Sequence, residues 1–232
     1  MATFVLVHGA WHGGWVWDRV RTRLEGQGHE VFAPTLSGLA ERQHLLRFPI
    51  DLDTHIADVV TLVTWGDLHD VVLCGHSYGG FPVTGAADAL GSRVAALVYL
   101  DAFVPEDGDS CITLAGVAGA SEVAAPAPPA EAFGLVGADA TWVNERLTPQ
   151  PTTPLSDAIA LIGACTAPRT YVLATGWRGR DHFRRSYEHA LQNDGWTART
   201  LDGCHDLMVD RPDEVATLLA EAWIAGSSRT SA

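Results

Sequence analysis

Ser77 lies in the run Gly75-His76-Ser77-Tyr78-Gly79, after a short apolar stretch and before a helical one. A serine with glycine two residues to either side, on a strand–turn–helix corner, exposes its hydroxyl on a strained turn, because side chains at the flanking positions would block the backbone. Pro82 falls in the first turn of the following helix, where a missing N–H costs little. A serine hydroxyl is a weak nucleophile until a base removes its proton. The expected base is His205, in Asp202-Gly203-Cys204-His205-Asp206, between the last strand and the last helix. His76 is the rival, but it shares the turn with the serine. His12, His29, His44, His55, His69, His182 and His189 are read as surface or hydrogen-bonded structural groups.

Such a base needs a carboxylate to fix its tautomer and to stabilise the imidazolium. Two positions qualify. Asp101 ends the apolar strand that includes Tyr99 and Leu100, next to the strand that presents Ser77. Asp181 follows the strand Tyr171–Thr175 at some distance, where it could equally open a helix and favour its dipole. Asp101 is preferred on position, with Asp181 as the alternative. A developing oxyanion needs backbone donors; the amides of Ala10, in His8-Gly9-Ala10-Trp11-His12-Gly13-Gly14, and of Tyr78 are the candidates. Trp11 and Phe103 are expected to touch substrate, while core packing is expected for at least two of Trp11, Trp15 and Trp17. No metal site is expected. His8 and His12 are four apart on a loop with no third ligand, and zinc-cysteine, EF-hand, Walker A and G-x-G-x-x-G patterns are absent.

The elements that position these residues alternate. Strands are expected at Phe4–Val7, Glu30–Ala33, Asp70–Cys74, Val94–Leu100, Thr170–Ala174 and Trp196–Leu201. Helices are expected at Trp15–Gln27, Asp53–Trp65, Pro82–Leu90, Asp181–Asn193 and Pro212–Ala225. The segment 35–51 reads as irregular. Alternation with continuous apolar strands predicts an α/β fold: a doubly wound, mostly parallel sheet of about six strands, flanked by helices, with its site at the carboxyl ends of the strands. The pattern breaks over 105–167, which is rich in Ala, Pro and Gly, with helical stretches near Ala140–Arg146 and Leu155–Ile162. The expected organisation is therefore a core of 1–104 and 168–226, a small cap insertion over 105–167 and a flexible tail over 227–232. Leu114, Phe133, Leu135 and Trp142 in the insertion imply an apolar pocket.

Composition narrows the classes further. The chain has 232 residues, 47% hydrophobic and 19% charged, with a net charge of −13. Its length suits one domain. The acidity argues against nucleic acid and against an anionic membrane surface as partners. No apolar run spans a bilayer, and the start reads as a strand and not as a signal peptide. The four scattered cysteines suggest free thiols and a cytoplasmic location. A homodimer is left open.

The HGAWHGGW opening, the GHSYGG elbow and the GCHD histidine loop together resemble the α/β-hydrolase superfamily. Within it, the chain resembles the branch of hydroxynitrile lyases, plant methyl-ester esterases and pyrethroid-hydrolase-like bacterial esterases. The resemblance runs nearly end to end and is weakest over 105–167, where the family carries its cap. It implies a cofactor-free Ser-His-Asp enzyme acting on a small apolar ester, lactone or thioester. It also implies two departures. The branch acid would fall at Trp177, whereas some superfamily members take it after the preceding strand, which fits Asp101. The threonine and lysine of cyanohydrin lyases align with Gly9 and Asp206, so that lyase chemistry loses its cation. A non-hydrolytic tailoring enzyme or lyase, or a small-molecule binding protein using the same pocket, are the competing expectations.

Overall fold

A computed structural model describes the chain except positions 118, 120, 121, 164, 178–180, 231 and 232; for 181, 182 and 227–230 it describes the backbone alone. Six strands form one sheet: β1 (Thr3–Val7), β2 (Glu30–Phe32), β3 (Val71–His76), β4 (Val94–Leu100), β5 (Arg169–Ala174) and β6 (Trp196–Leu201). Their order is β2-β1-β3-β4-β5-β6, and every pairing is parallel. The order reverses beside β1 and β3, so loops leaving the carboxyl ends of these two strands diverge and leave a crevice.

Burial on both faces explains the continuous apolar runs of the central strands β1, β3, β4 and β5, while the edge strands β2 and β6 are only partly buried and carry polar residues. Val5, Val7, Leu73, Tyr99 and Tyr171 pack on one face, against α2 (Leu52–Trp65), α3 (Gly80–Leu90) and α4 (Asp181–Gln192). Their immediate neighbours Phe4, Leu6, Cys74, Val98 and Val172 point the other way, against α1 (Asp18–Gly26) and α5 (Pro212–Thr230). This is the period of two expected of a strand with helices on each side. The sheet therefore forms as the sequence indicates, parallel and flanked by helices. No disulfide joins the described cysteines. Among the described residues, no helix is long and apolar enough to cross a membrane.

Local readings differ in several places. The first helical stretch splits into a 3-10 turn, Gly14–Trp17, and α1, and segment 35–51 contains a 3-10 stretch, Ala40–Arg47. The helix expected at Leu155–Ile162 is only Thr153–Ser156. Its continuation is extended because tertiary acceptors take the backbone donors: Ile159 N–H bonds the Asp109 carbonyl, Leu161 N–H the Asp107 carboxylate and Ile162 N–H the Asp88 carboxylate. The closing helix continues to Thr230, into the stretch 227–230 expected to be frayed. Among its described residues, segment 105–167 holds only short elements, the longest being the helix Gly137–Asn144, with a two-stranded pairing of Ala124–Ala125 and Gln150–Pro151.

Candidate active site

β3 ends in the elbow. Ser77 has φ +52, a left-handed conformation that side chains rarely adopt. The close packing that forces this turn is visible at its glycines. A Cβ on Gly75 would lie 2.5 Å from the Gly79 carbonyl, and one on Gly79 would lie 2.7 Å from the carbonyls of Val7 and His8. Both glycines are thus required by sterics, and the serine between them is held at the crevice. Ser77 also accepts the Phe103 N–H on its carbonyl at 3.1 Å, which ties the elbow to the loop after β4.

β4 ends in Asp101, buried and again at positive φ, +43. Its two carboxylate oxygens are used separately. Oδ1 accepts the Ala174 N–H at 3.1 Å, and Oδ2 lies 2.6 Å from His205 Nδ1. A carboxylate beside Nδ1 holds the proton on that nitrogen, leaving Nε2 with a lone pair in the neutral ring. His205 stands on the loop after β6, and its N–H donates to the Phe133 carbonyl of the insertion at 2.9 Å. Its ring is stacked against Trp177 at 4.6 Å and Phe183 at 5.1 Å between centroids. Trp177, at the place where the resemblance puts an acid, supplies an aromatic face, while its indole N–H donates to the Ala132 carbonyl. Asp181 opens α4, and its side chain lies outside the described residues.

The loop after β1 brings the remaining groups. A Cβ on Gly9 would fall 2.9 Å from Ser77 Cβ, so the loop passes directly over the elbow. The N–H of Ala10 finds no acceptor among the described residues, an exception for a buried amide. Trp11 follows at φ +66, pinned by its N–H to Gln150 Oε1 and its indole to the Ala125 carbonyl. The Tyr78 side chain is anchored at its tip: its hydroxyl donates to His55 Nδ1 at 2.8 Å while His55 Nε2 donates to the Ser37 carbonyl.

Ser77, His205, Ala10, Tyr78, Trp11 and Phe103 all line one cavity of about 370 Å³. Among the described residues that line it, His205 is the one acidic or basic side chain. Of the four apolar residues expected to shape it, Phe133 does. Leu114, Leu135 and Trp142 pack instead into the two cores, because the insertion must bury an apolar side of its own. The pattern reading missed Trp177 and Phe183 around His205: Trp177 lies in an irregular loop with no periodic signal, and the periodicity of the helix that carries Phe183 does not show which group that side chain meets. It also left unassigned a buried group beneath the cavity, where Asp206 sits near His12 and His76.

Burial sets the charges of these groups. Burial pushes His8 down to about 3. It also holds His76 well below its ordinary value, with His205 nearby acting in the same sense, and it lowers His55. For His12, burial pulls downward, but the Asp206 carboxylate prevails and the pKa is raised. For Asp206, burial pulls upward, but His12 prevails and the pKa falls to about 2. The unfolded chain binds protons on His8, His55 and His76 below about pH 6.5 that the native protein refuses, so stability should drop as pH falls through that value. Each such histidine contributes a slope of about 1.4 kcal/mol per pH unit. Asp206 adds a further loss between 3.8 and about 2. His12 acts oppositely: its contribution is complete below the unfolded value of 6.5 and is lost as pH rises through its raised value. Urea unfolding should therefore show maximal stability near pH 6.5, and His12→Gln should flatten the alkaline limb. Equal stability at about pH 7 and about pH 5 would contradict this.

A model of the alpha/beta hydrolase family matches residues 4–218. The chain is 40% identical to a carbendazim hydrolyzing esterase of Nocardioides sp. (strain SG-4G), over 95% of this chain and 99% of that one. It is 37% identical to methylesterase 4 of Arabidopsis thaliana, over 44% of this chain and 40% of that one. A pyrethroid hydrolase from Sphingobium faniae JZ-2 superposes with a TM-score of 0.76, at 22% identity, covering 98% of this chain and 99% of the other.

Proposed function

The chain belongs to the alpha/beta hydrolase family, and we propose that it is an esterase that cleaves a small, neutral, largely apolar ester, lactone or thioester through an acyl-enzyme on Ser77. The observation that carries this reading is the 2.6 Å contact between Asp101 and His205 Nδ1, on a ring that lines the same cavity as Ser77. The 40% identical esterase supports the reaction class.

In this mechanism His205 Nε2 takes the Ser77 proton as Oγ attacks the substrate carbonyl carbon. Asp101 keeps Nδ1–H in place and stabilises the imidazolium. The oxyanion is received by the N–H groups of Ala10 and Tyr78. His205 then returns the proton to the departing alcohol or thiol. Water, deprotonated by the same nitrogen, attacks the acyl-enzyme and releases the acid and free Ser77. The insertion 105–167 acts as a cap: with Ile112, Phe133 and Leu155 on the cavity wall, it keeps bulk water from the acyl group.

The lack of fixed charges among the described wall residues sets the specificity. A carboxylate added to the substrate would be buried with no cationic partner among those residues, so kcat/KM should fall about 10²-fold against the uncharged analogue. Chromogenic esters of matched size, with and without the charge, measure this. A preference for the anionic ester would overturn the apolar-substrate reading. No turnover of any neutral ester, together with tight binding of one, would favour a binding protein instead.

A further inference from the structure

Asp206 follows His205 in the chain and is completely buried. A group from the loop after β1 and one from the end of β3 meet around it. His12 Nε2 lies 3.3 Å from Oδ2, and His76 Nε2 lies 3.7 Å from Oδ1. Each of these histidines also holds backbone of the reacting groups. His12 Nδ1 donates to the Ala10 carbonyl at 2.7 Å, on the loop that carries the expected oxyanion amide. His76, the residue before Ser77, donates from Nε2 to the His205 carbonyl at 3.1 Å. The His76 and His205 rings are 4.5 Å apart.

A buried ion pair is a costly way to fill space, since apolar side chains of similar volume often stabilise more. What the charge provides here is a proton inventory. A neutral imidazole has one N–H, and an imidazolium has two. His12 needs two donors, one for the Ala10 carbonyl and one toward Asp206. The carboxylate keeps the second proton on the ring, which agrees with the raised pKa of His12.

We propose that Asp206 is a positioning residue for ester cleavage: through His12, His76 and its own backbone it holds the Ala10 loop, the Ser77 elbow and His205 in one fixed arrangement. This rests on the serine-esterase reading above. Loss of the carboxylate would leave substrate binding at the apolar wall intact and would blur the alignment of nucleophile, base and oxyanion donors. Misplacement of reacting groups by about 1 Å costs on the order of 10²-fold.

Asp206→Asn keeps the shape and removes the charge. In this variant kcat for a neutral short-chain ester should fall about 10²-fold with KM little changed, and the rate of fluorophosphonate capture at Ser77 should fall in parallel. The double variant His12→Gln/Asp206→Asn leaves no unpaired ion in the interior and guards against a single variant that fails to fold. Its kcat should be as low as that of Asp206→Asn, the two changes being coupled and not additive. Wild-type kcat in folded Asp206→Asn, or in the double variant, would overturn the proposal. Capture at Ser77 in the wild type with unchanged capture in the variants would overturn the positioning role alone. Absence of capture in the wild type would overturn the serine reading and this proposal with it.

Discussion

Replacing Ser77 with alanine should lower kcat by about 10⁶-fold, the loss seen when a serine nucleophile is removed from a working triad. The change deletes one oxygen in a cavity of about 370 Å³ and leaves the elbow glycines untouched, so the protein should fold and bind substrate as before. KM measured on any residual turnover should remain near wild type, because the apolar wall provides the binding and the hydroxyl provides the chemistry. Ester hydrolysis assayed beside circular dichroism checks both halves. A folded Ser77→Ala protein that retains a tenth of wild-type kcat, to name a round threshold of about 1.4 kcal/mol, would remove Ser77 from the mechanism.

Asp101→Asn should lower kcat by about 10⁴-fold while preserving the fold. Asparagine tolerates the left-handed backbone found at this position, φ +43, better than alanine would. Its carbonyl oxygen can still accept the Ala174 N–H, replacing Oδ1. The amide NH₂ then faces His205 Nδ1 and donates to it, which moves the ring proton to Nε2 and leaves no lone pair for the Ser77 hydroxyl. The damage is one of tautomer and not of packing. Asp181→Asn, at the start of α4, should leave kcat near wild type. Steady-state kinetics on the two variants decide between the acids; a severe loss in Asp181→Asn with a mild one in Asp101→Asn would exchange them.

Those residues were legible in the sequence to different degrees, for physical reasons. The elbow is a local steric rule: glycines flank a serine where a strand meets a helix, and a Cβ would strike the corner's own Gly79 carbonyl or the carbonyls of Val7 and His8 at the end of the adjacent strand. The proximity of Asp101 to His205 followed from topology, because β3, β4, β5 and β6 are successive neighbours and the loops carrying Ser77, Asp101 and His205 leave the same edge. The sheet itself was legible from its continuous apolar strands. The aromatic surround of His205 was not. Trp177 lies in a loop after β5, and its place depends on the Ala132 carbonyl, in the irregular segment 105–167. The end of the short helix at Ser156 was equally hidden, since distant Asp side chains take the donors that would have continued it. Asp206 and His12 stand at opposite ends of the chain; each looked like an ordinary polar residue until the fold buried them together.

The most direct test of the central claim is the site of covalent capture. Incubation of the native protein with a fluorophosphonate, followed by proteolysis and mass spectrometry, should place a single phosphonyl adduct on the peptide that carries Gly75-His76-Ser77-Tyr78-Gly79, at Ser77. The rate of capture should collapse in His205→Ala, because the hydroxyl then lacks its base. An adduct at another serine, or capture at the wild-type rate in Ser77→Ala, would contradict the account.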